Sequence, residues 1–284
     1  MLERRGGFTL VEVSIALVLG GLVLGLVFSI GSRLGTQLAG DANRFAANEQ
    51  LSAAAEILPI DLRGLSSVAG DITAGEARDS SLQLRQTIAN ALVCAASPST
   101  WTLAPYLGPG GRSVVPAVQD GDTAWLFVDS DQGENWRAVR LRAAHRTAGG
   151  CSVVADGDGA NVFDVAHLLA VDLSDSAAAT PGSIIRVTRP IRFSFYRASD
   201  GHWYLGLRSW NGTTLQFNGI QPVSGPFGPV SGGRGTRFVY FDSVGAAIPP
   251  GTGDTRHIAR IEAAIHSDGS ADSLTVVAAL RNRQ

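Results

Sequence analysis

From Phe8 to Ile30 the chain is an unbroken apolar run whose one ionisable residue is Glu12. At 1.5 Å rise per residue a helix over this run is about 34 Å long, enough to cross a hydrocarbon core of about 30 Å with some tilt. No polar face interrupts it, so the core helix of a soluble domain is a poor alternative. Arg4 and Arg5 precede the run, offset by Glu3, while Arg33 and Arg44 follow it at wider spacing. The positive-inside rule then predicts a single pass, with Met1 in the cytoplasm and the bulk of the chain outside. A secretory signal fits badly. Its apolar region spans about 7–15 residues and ends at a small-residue cleavage site, whereas Gly6 and Gly7 lie before this run.

Glu12 is the residue that a plain anchor does not explain. A carboxylate at the centre of a spanning helix costs about 2.5–3.5 kcal/mol on insertion scales, and such residues have a partner and a role. Cleavage after Gly7 would create an α-amine on Phe8, largely protonated at neutral pH. That amine lies about 6 Å along the helix axis from Glu12. The carboxylate of one chain can then meet the amine of a neighbour staggered along a shared axis. In low dielectric such a pair is strong and sets register, and breaking it strands a charge.

The run Gly6-Gly7-Phe8-Thr9-Leu10-Val11-Glu12 resembles the type IV prepilin processing motif: a short basic leader ending in Gly, then Phe, then Glu four residues on, then an apolar helix. The resemblance implies that a prepilin peptidase cuts between Gly7 and Phe8 and N-methylates Phe8. It implies that Glu12 is the assembly carboxylate. The predicted parts are a leader over 1–7, the transmembrane part of a first helix over 8–30, its amphipathic part over 31–64 and a β-rich periplasmic head over 65–284. Many pilins carry a helix-kinking Pro in the spanning half. Here Gly20, Gly21 and Gly25 stand there instead. Each weakens a helix by about 1 kcal/mol against Ala. They are places where the helix loosens or, at Gly21-x-x-x-Gly25 spacing, where two helices pack closely; both readings stay open.

Past the membrane, Leu34, Leu38, Phe45, Leu51, Ala55 and Leu58 recur at near-helical spacing among polar residues. This stripe is predicted to pack on the head, with a break or kink at Pro59 and an end near Leu62-Arg63-Gly64. From about Ser80 short alternating strands take over. Asp122–Val128 and Trp136–Leu141 flank a predicted hairpin loop. Ile191, Phe193 and Phe195 alternate with polar residues, and Ser199-Asp200-Gly201 turns the chain into Trp203–Leu207. Arg237–Phe241 is a strand. Ile261, Ala263 and Ile265, then Leu274, Val276, Ala278 and Leu280, read as a closing hairpin with one face buried. The predicted class is α+β, a long N-terminal helix followed by a pilin-like antiparallel head. The stretch from Ser66 to Pro181 matches nothing in this pattern.

The tail Phe238-Val239-Tyr240-Phe241-Asp242, then Ile258, Ile261, Leu274, Val276 and Leu280-Arg281-Asn282, is similar to J-type minor pseudopilins of type II secretion and W-type minor pilins of type IV pili. Arg192–Tyr196 and Tyr204–Arg208 resemble the preceding hairpin of that group. The resemblance implies a structural subunit, not an enzyme and without cofactors, that starts assembly or lies near the filament tip. Retention of Glu12 places it just below the tip, where a chain above supplies a partner amine. The implied partners are other pilins or pseudopilins, the peptidase and the inner membrane. A different class is an adhesin or DNA-capturing pilin. It would use Trp101, Trp136, Trp203 and Trp210, or the arginines Arg137, Arg140, Arg142 and Arg146. A net charge of −2 gives no general field for nucleic acid.

The chain has two cysteines, Cys94 and Cys151. In an exported protein an isolated pair predicts a disulfide; two buried thiols are the alternative. No four-ligand metal shell is written in the sequence. Weak Ca²⁺ candidates are Asp129, Asp131 and Glu134, and Asp156-Gly157-Asp158-Gly159. Neither completes an EF-hand, so solvated turns are the better description. There is no Gly-x-Ser-x-Gly, Walker loop or His-Glu-x-x-His. The histidines 145, 167, 202, 257 and 266 are scattered, and Asn211-Gly212-Thr213 reads as a tight turn rather than a glycosylation acceptor.

Overall fold

The computed structural model describes residues 10–67, 69–106, 118–130, 133–154, 163–230, 235–268 and 272–280. It divides into two compact units, 1–49 and 50–284. The first helix, α1 (Leu10–Arg63), enters both. The strands that follow are β1 (Ile72–Ala77), β2 (Ser81–Ala96), β3 (Thr100–Pro105), β4 (Thr123–Ser130), β5 (Gly133–Thr147), β6 (Leu168–Leu173) and β7 (Ile184–Arg197). Then come β8 (Trp203–Asn211), β9 (Gln216–Phe217), β10 (Gln221–Phe227), β11 (Arg237–Phe241), β12 (Ala247–Ile248), β13 (Arg260–His266) and β14 (Ser273–Ala279). A long N-terminal helix and an antiparallel β-rich head are the architecture of the chain.

Within the first unit, every apolar side chain of α1 from Leu10 to Ile30 is exposed. Its hydroxyls are satisfied inside the helix. Ser14 Oγ donates to the Leu10 carbonyl at 2.9 Å, and Ser29 Oγ to that of Leu26 at 3.0 Å. A hydroxyl placed in hydrocarbon, with no water to accept its proton, needs such an internal acceptor. Leu34, Leu38 and Phe45 are 52%, 64% and 81% exposed. The buried stripe is therefore shorter than the periodicity predicts. It begins in the second unit, with Leu51, Ala54, Leu58 and Leu62.

Pro59 does not break α1. The helix runs on to Arg63, because one turn remains after Pro59 and buried Leu58 and Leu62 hold it. Arg63 in the last turn complements the carbonyl end, and Gly64 follows.

The large sheet runs β1-β2-β3-β6-β5-β4-β7-β8-β10, and β2 pairs a second time, with β7. Starting at β2 and passing through β3, β6, β5, β4 and β7, the ladder therefore returns to β2 and closes a small barrel. Each barrel strand gives two side chains to one interior cluster: Ala91 and Val93, Trp101 and Leu103, Ala124 and Leu126, Val139 and Leu141, Val171 and Leu173, Ile185 and Val187. The interior is packed, not a channel, as expected of so narrow a barrel. This barrel is the fold of much of the stretch that the sequence pattern left unmatched.

The long strands β2 and β7 join the barrel to the rest of the head. They pair from Ser81↔Ser194 to Leu92↔Ile184, with one irregularity between Thr87 and Ala89. Beyond the barrel, β2 pairs with β1 and β7 with β8. There Leu82, Leu84, Ile191, Phe193 and Phe195 pack with Leu51, Leu58 and Leu62 of α1. The same cluster takes in Phe238, Tyr240, Ile261, Ile265, Val276 and Ala278 from the second sheet, β12-β11-β13-β14. The predicted closing hairpin is β13–β14, in register from Arg260↔Ala279 to His266↔Ser273.

The β4–β5 hairpin is tighter than the sequence predicts. Pairing continues through Asp129↔Glu134 to Ser130↔Gly133. Residues read as loop are thus strand. Gln50 pins α1 to β10: Ser224 Oγ donates to its carbonyl, and Gly225 N–H donates to its Oε1 at 3.1 Å. Gly225 has φ +136, and a Cβ there would lie 2.6 Å from the Tyr204 ring, so both backbone and space require glycine.

Cys94 on β2 and Cys151 after β5 form a disulfide, with Cα atoms 4.9 Å apart and a sequence separation of 57. The closed loop contains β3, β4 and β5, so the bond holds the barrel shut from outside its ladder. Replacing both cysteines with serine is expected to destabilise the barrel by about 2–5 kcal/mol, from restored chain entropy in the unfolded state. Urea denaturation of the processed chain measures this; an unchanged midpoint would mean the loop is held by other contacts.

Candidate functional site

Glu12 lies in the first turn of α1, where its charge complements the amide end of the helix. It is the one ionisable residue between Leu10 and Ile30, in the one helix, among the described residues, long and apolar enough to cross a membrane. Gly7 and Phe8, the predicted cleavage and methylation positions, lie outside the described residues. Gly20, Gly21 and Gly25 leave bare backbone on α1: a Cβ at any of them would meet nothing within 4 Å.

Residues 3–28 match the family model described as the prokaryotic N-terminal methylation motif. This N-terminus is type IV pilin-like. The match spans Arg4, Arg5, Gly7, Phe8, Glu12 and most of the apolar run. No curated protein and no solved structure matches the chain. The motif is one of structural subunits that are processed, anchored by an apolar helix and assembled with others of their kind.

The head carries its charges in structural roles. Arg186 clasps Asp71 with both terminal nitrogens, and Asp71 Oδ2 also accepts the Ser66 N–H at 2.7 Å. Arg189 Nε and Nη2 donate to the two oxygens of buried Asp122, each at 2.8 Å. Arg85 lies 5.0 Å from the Trp125 ring centre and donates to the Gly70 carbonyl at 2.6 Å. Burial lowers the pKa of Arg85; neighbouring Asp71 opposes this and Arg186 adds to it. The bonds of Arg186 to Asp71 and of Arg85 to Gly70 clamp the segment after α1 onto the barrel wall. Sequence reasoning missed all of them, because an Asp and an Arg 115 residues apart carry no local signal.

Other shifted groups lie away from this clamp. Arg256 beside Asp254 holds that carboxyl down to about 2. Burial raises Asp61, against the amide of Gln86 that donates to it. Burial also raises Tyr240, whose hydroxyl donates to the Arg78 carbonyl.

The histidines are not brought together. His167 meets Asp164, His202 meets Asp268 and His257 meets Asp254, each on a different loop or strand. Among the described residues no three His, Cys, Asp or Glu side chains gather as a metal site. The side chains of the Asp129, Asp131 and Glu134 candidate and all of Asp156–Gly159 lie outside the described residues.

Of the aromatics read as surface candidates, Trp101 is fully buried in the barrel and donates to the Ala177 carbonyl at 3.2 Å. It is a core residue: its position on β3 faces the barrel interior. Trp203 and Trp210 are partly buried, and Trp136 is exposed. Arg140 and Arg142 line an open hollow of about 900 Å³ that also holds Asp120, Asp172 and Asp175. Three carboxylates beside two guanidiniums make a poor seat for a polyanion. Asn211 spends its side-chain oxygen on the N–H groups of Thr213 and Thr214, closing the β8–β9 turn.

Proposed function

We propose that this chain is a minor pilin or minor pseudopilin, a structural subunit that helps start a type IV pilus or type II secretion pseudopilus and lies near its tip. The observation that carries this is the methylation-motif match over residues 3–28, continuous with an exposed apolar helix. In this reading 1–7 is a leader, and cleavage between Gly7 and Phe8 is followed by methylation of Phe8. The 8–30 segment anchors the chain in the inner membrane with Met1 cytoplasmic. The 31–64 segment links it to a periplasmic head over 65–284. Glu12 then serves as the carboxylate that meets a neighbour's amine.

The head supports a minor role. Next to its pilin-like sheets it carries a closed barrel tied in by β2 and β7. Such bulk is tolerated at one position of a filament more readily than at every repeat. The J-type and W-type resemblance of the β11 to β14 region points the same way.

Processing tests the reading. Substituting Gly7 with a bulkier residue is expected to abolish cleavage, seen as loss of the mobility shift and of the methylated Phe8 N-terminus by mass spectrometry. Normal processing of that variant would overturn the assignment.

A further inference from the structure

A strand at the edge of a sheet presents unpaired N–H and C=O groups, and proteins blunt such edges with Pro, charge, irregular register, short length or a cover. The closed barrel has no edge. At β1, Gly75 N–H donates to the Thr252 carbonyl and the Ala77 carbonyl accepts Gly251 N–H, so a loop covers it. The edge at β10 contains Pro222 and Pro226, breaks register twice and is capped by Gln50. Both β9 and β12 are two residues long.

Strand β14 carries none of these devices. It is Ser-Leu-Thr-Val-Val-Ala-Ala, seven residues without charge, Pro or Gly, and its register with β13 is unbroken. Ser267 N–H donates to the Asp272 carbonyl and Leu280 N–H to that of Ala259. In an antiparallel ladder hydrogen-bonded pairs alternate with non-bonded ones. The residues of β14 bonded to β13 are therefore Leu274, Val276 and Ala278. The backbone groups of Ser273, Thr275, Val277 and Ala279 point away from β13. All four residues are exposed, Val277 by 49%. Among the described residues nothing bonds to their outward groups.

We propose that this edge pairs antiparallel with the β14 edge of a second copy of the chain. Every other described edge is blocked, so the one open edge a copy can offer is its own β14. A pairing of like with like is two-fold and closes as a dimer instead of growing into a fibre. Centred on Val276, it sets Ser273 opposite Ala279 and Thr275 opposite Val277. No like charges face each other, and neutral β-branched pairs favour the contact. At full overlap about eight backbone hydrogen bonds cross the edge. The inner face of Val276 and Ala278 then continues into its counterpart as one sheet.

The test uses the full-length chain in its own membrane. With Cys94 and Cys151 already bonded, Thr275→Cys/Val277→Cys is expected to give an oxidised dimer, while Val244→Cys, on a distant exposed turn, is expected to give none. Thr275→Lys/Val277→Lys places like charges opposite one another and is expected to weaken dimerisation by about tenfold or more. Val277→Pro removes an outward N–H that β13 does not use, which edge strands tolerate, and is expected to do the same with the melting curve little changed. A dimer that survives both variants is held by the helix and overturns the proposal. So does a cross-link to a product of any mass other than twice the chain. None of these readouts depends on cleavage at Gly7, so the proposal and the filament assignment fail separately.

Discussion

Replacing Asp71 with alanine is expected to destabilise the head by about 3–5 kcal/mol, the cost of removing one partner of a buried ion pair. The Asp71 side chain is almost wholly buried and Arg186 is 15% exposed. Arg186 binds both carboxylate oxygens, and the Ser66 N–H binds one of them as well. Removal leaves the Arg186 guanidinium and the Ser66 amide without their acceptor. It also takes away the charge that stabilises the cation of Arg85, which burial already disfavours. The substituted residue ties Gly64–Asp71 to the β2–β7 wall, so the loss reaches the junction between α1 and the barrel. Urea denaturation gives the number. A loss below about 1 kcal/mol would mean that the pair behaves as an exposed one. Adding Arg186→Met to Asp71→Ala is expected to restore much of the stability, because an apolar pair in the same volume carries no desolvation cost.

The pair also shows where sequence reasoning stops. The strands Ile184–Arg197, Arg237–Phe241 and Arg260–His266 are legible because Phe193, Tyr240 and Ile261 each alternate with a polar neighbour over a face that is buried on one side. The long helix is legible first from its apolar run and, past it, from apolar residues at near-helical spacing. The barrel is not. Its strand Leu168–Leu173 is short and nearly continuous in apolar residues, which periodicity cannot separate from loop or helix. Its closure depends on β2 pairing with both β3 and β7, a fact about topology that no local run of residues contains. Trp101 misleads for a related reason: an aromatic on a strand reads alike whether its face looks into a barrel or out of it. Phe45 and Leu38 mislead in the other direction, since helical spacing shows that a stripe exists without showing what covers it.

The N-terminal motif is legible because it is chemistry held at fixed local spacing. Leader, glycine, phenylalanine and glutamate lie within one short stretch that no tertiary contact has to assemble. The head contributes what the motif lacks, a fold that long-range pairing has to assemble. Its sheets, barrel and open edge present surfaces that a bare pilin scaffold does not need.

Replacing Glu12 with glutamine is expected to leave cleavage and membrane insertion intact and to reduce the chain's share of the filament fraction about 10- to 100-fold. The argument is one of opposing costs. In the membrane the carboxylate is a burden of about 2.5–3.5 kcal/mol at the helix centre and less near the end, where Glu12 stands. Glutamine removes that burden, so the variant should accumulate in the membrane at least as well as the parent. Under the proposed pairing the carboxylate would meet a protonated amine in the filament, and a hydrogen bond to a charged group contributes about 1.5–3 kcal/mol. Glutamine keeps the size and one acceptor but loses the charge, so assembly weakens as insertion eases. Opposite movement in the two fractions distinguishes a pairing role from a folding defect, which would deplete both. Aspartate at this position keeps the charge on a shorter arm and is expected to fall between the two. Equal filament content of glutamate and glutamine chains, quantified by immunoblot of sheared filaments against membranes, would show that α1 packs without this pair.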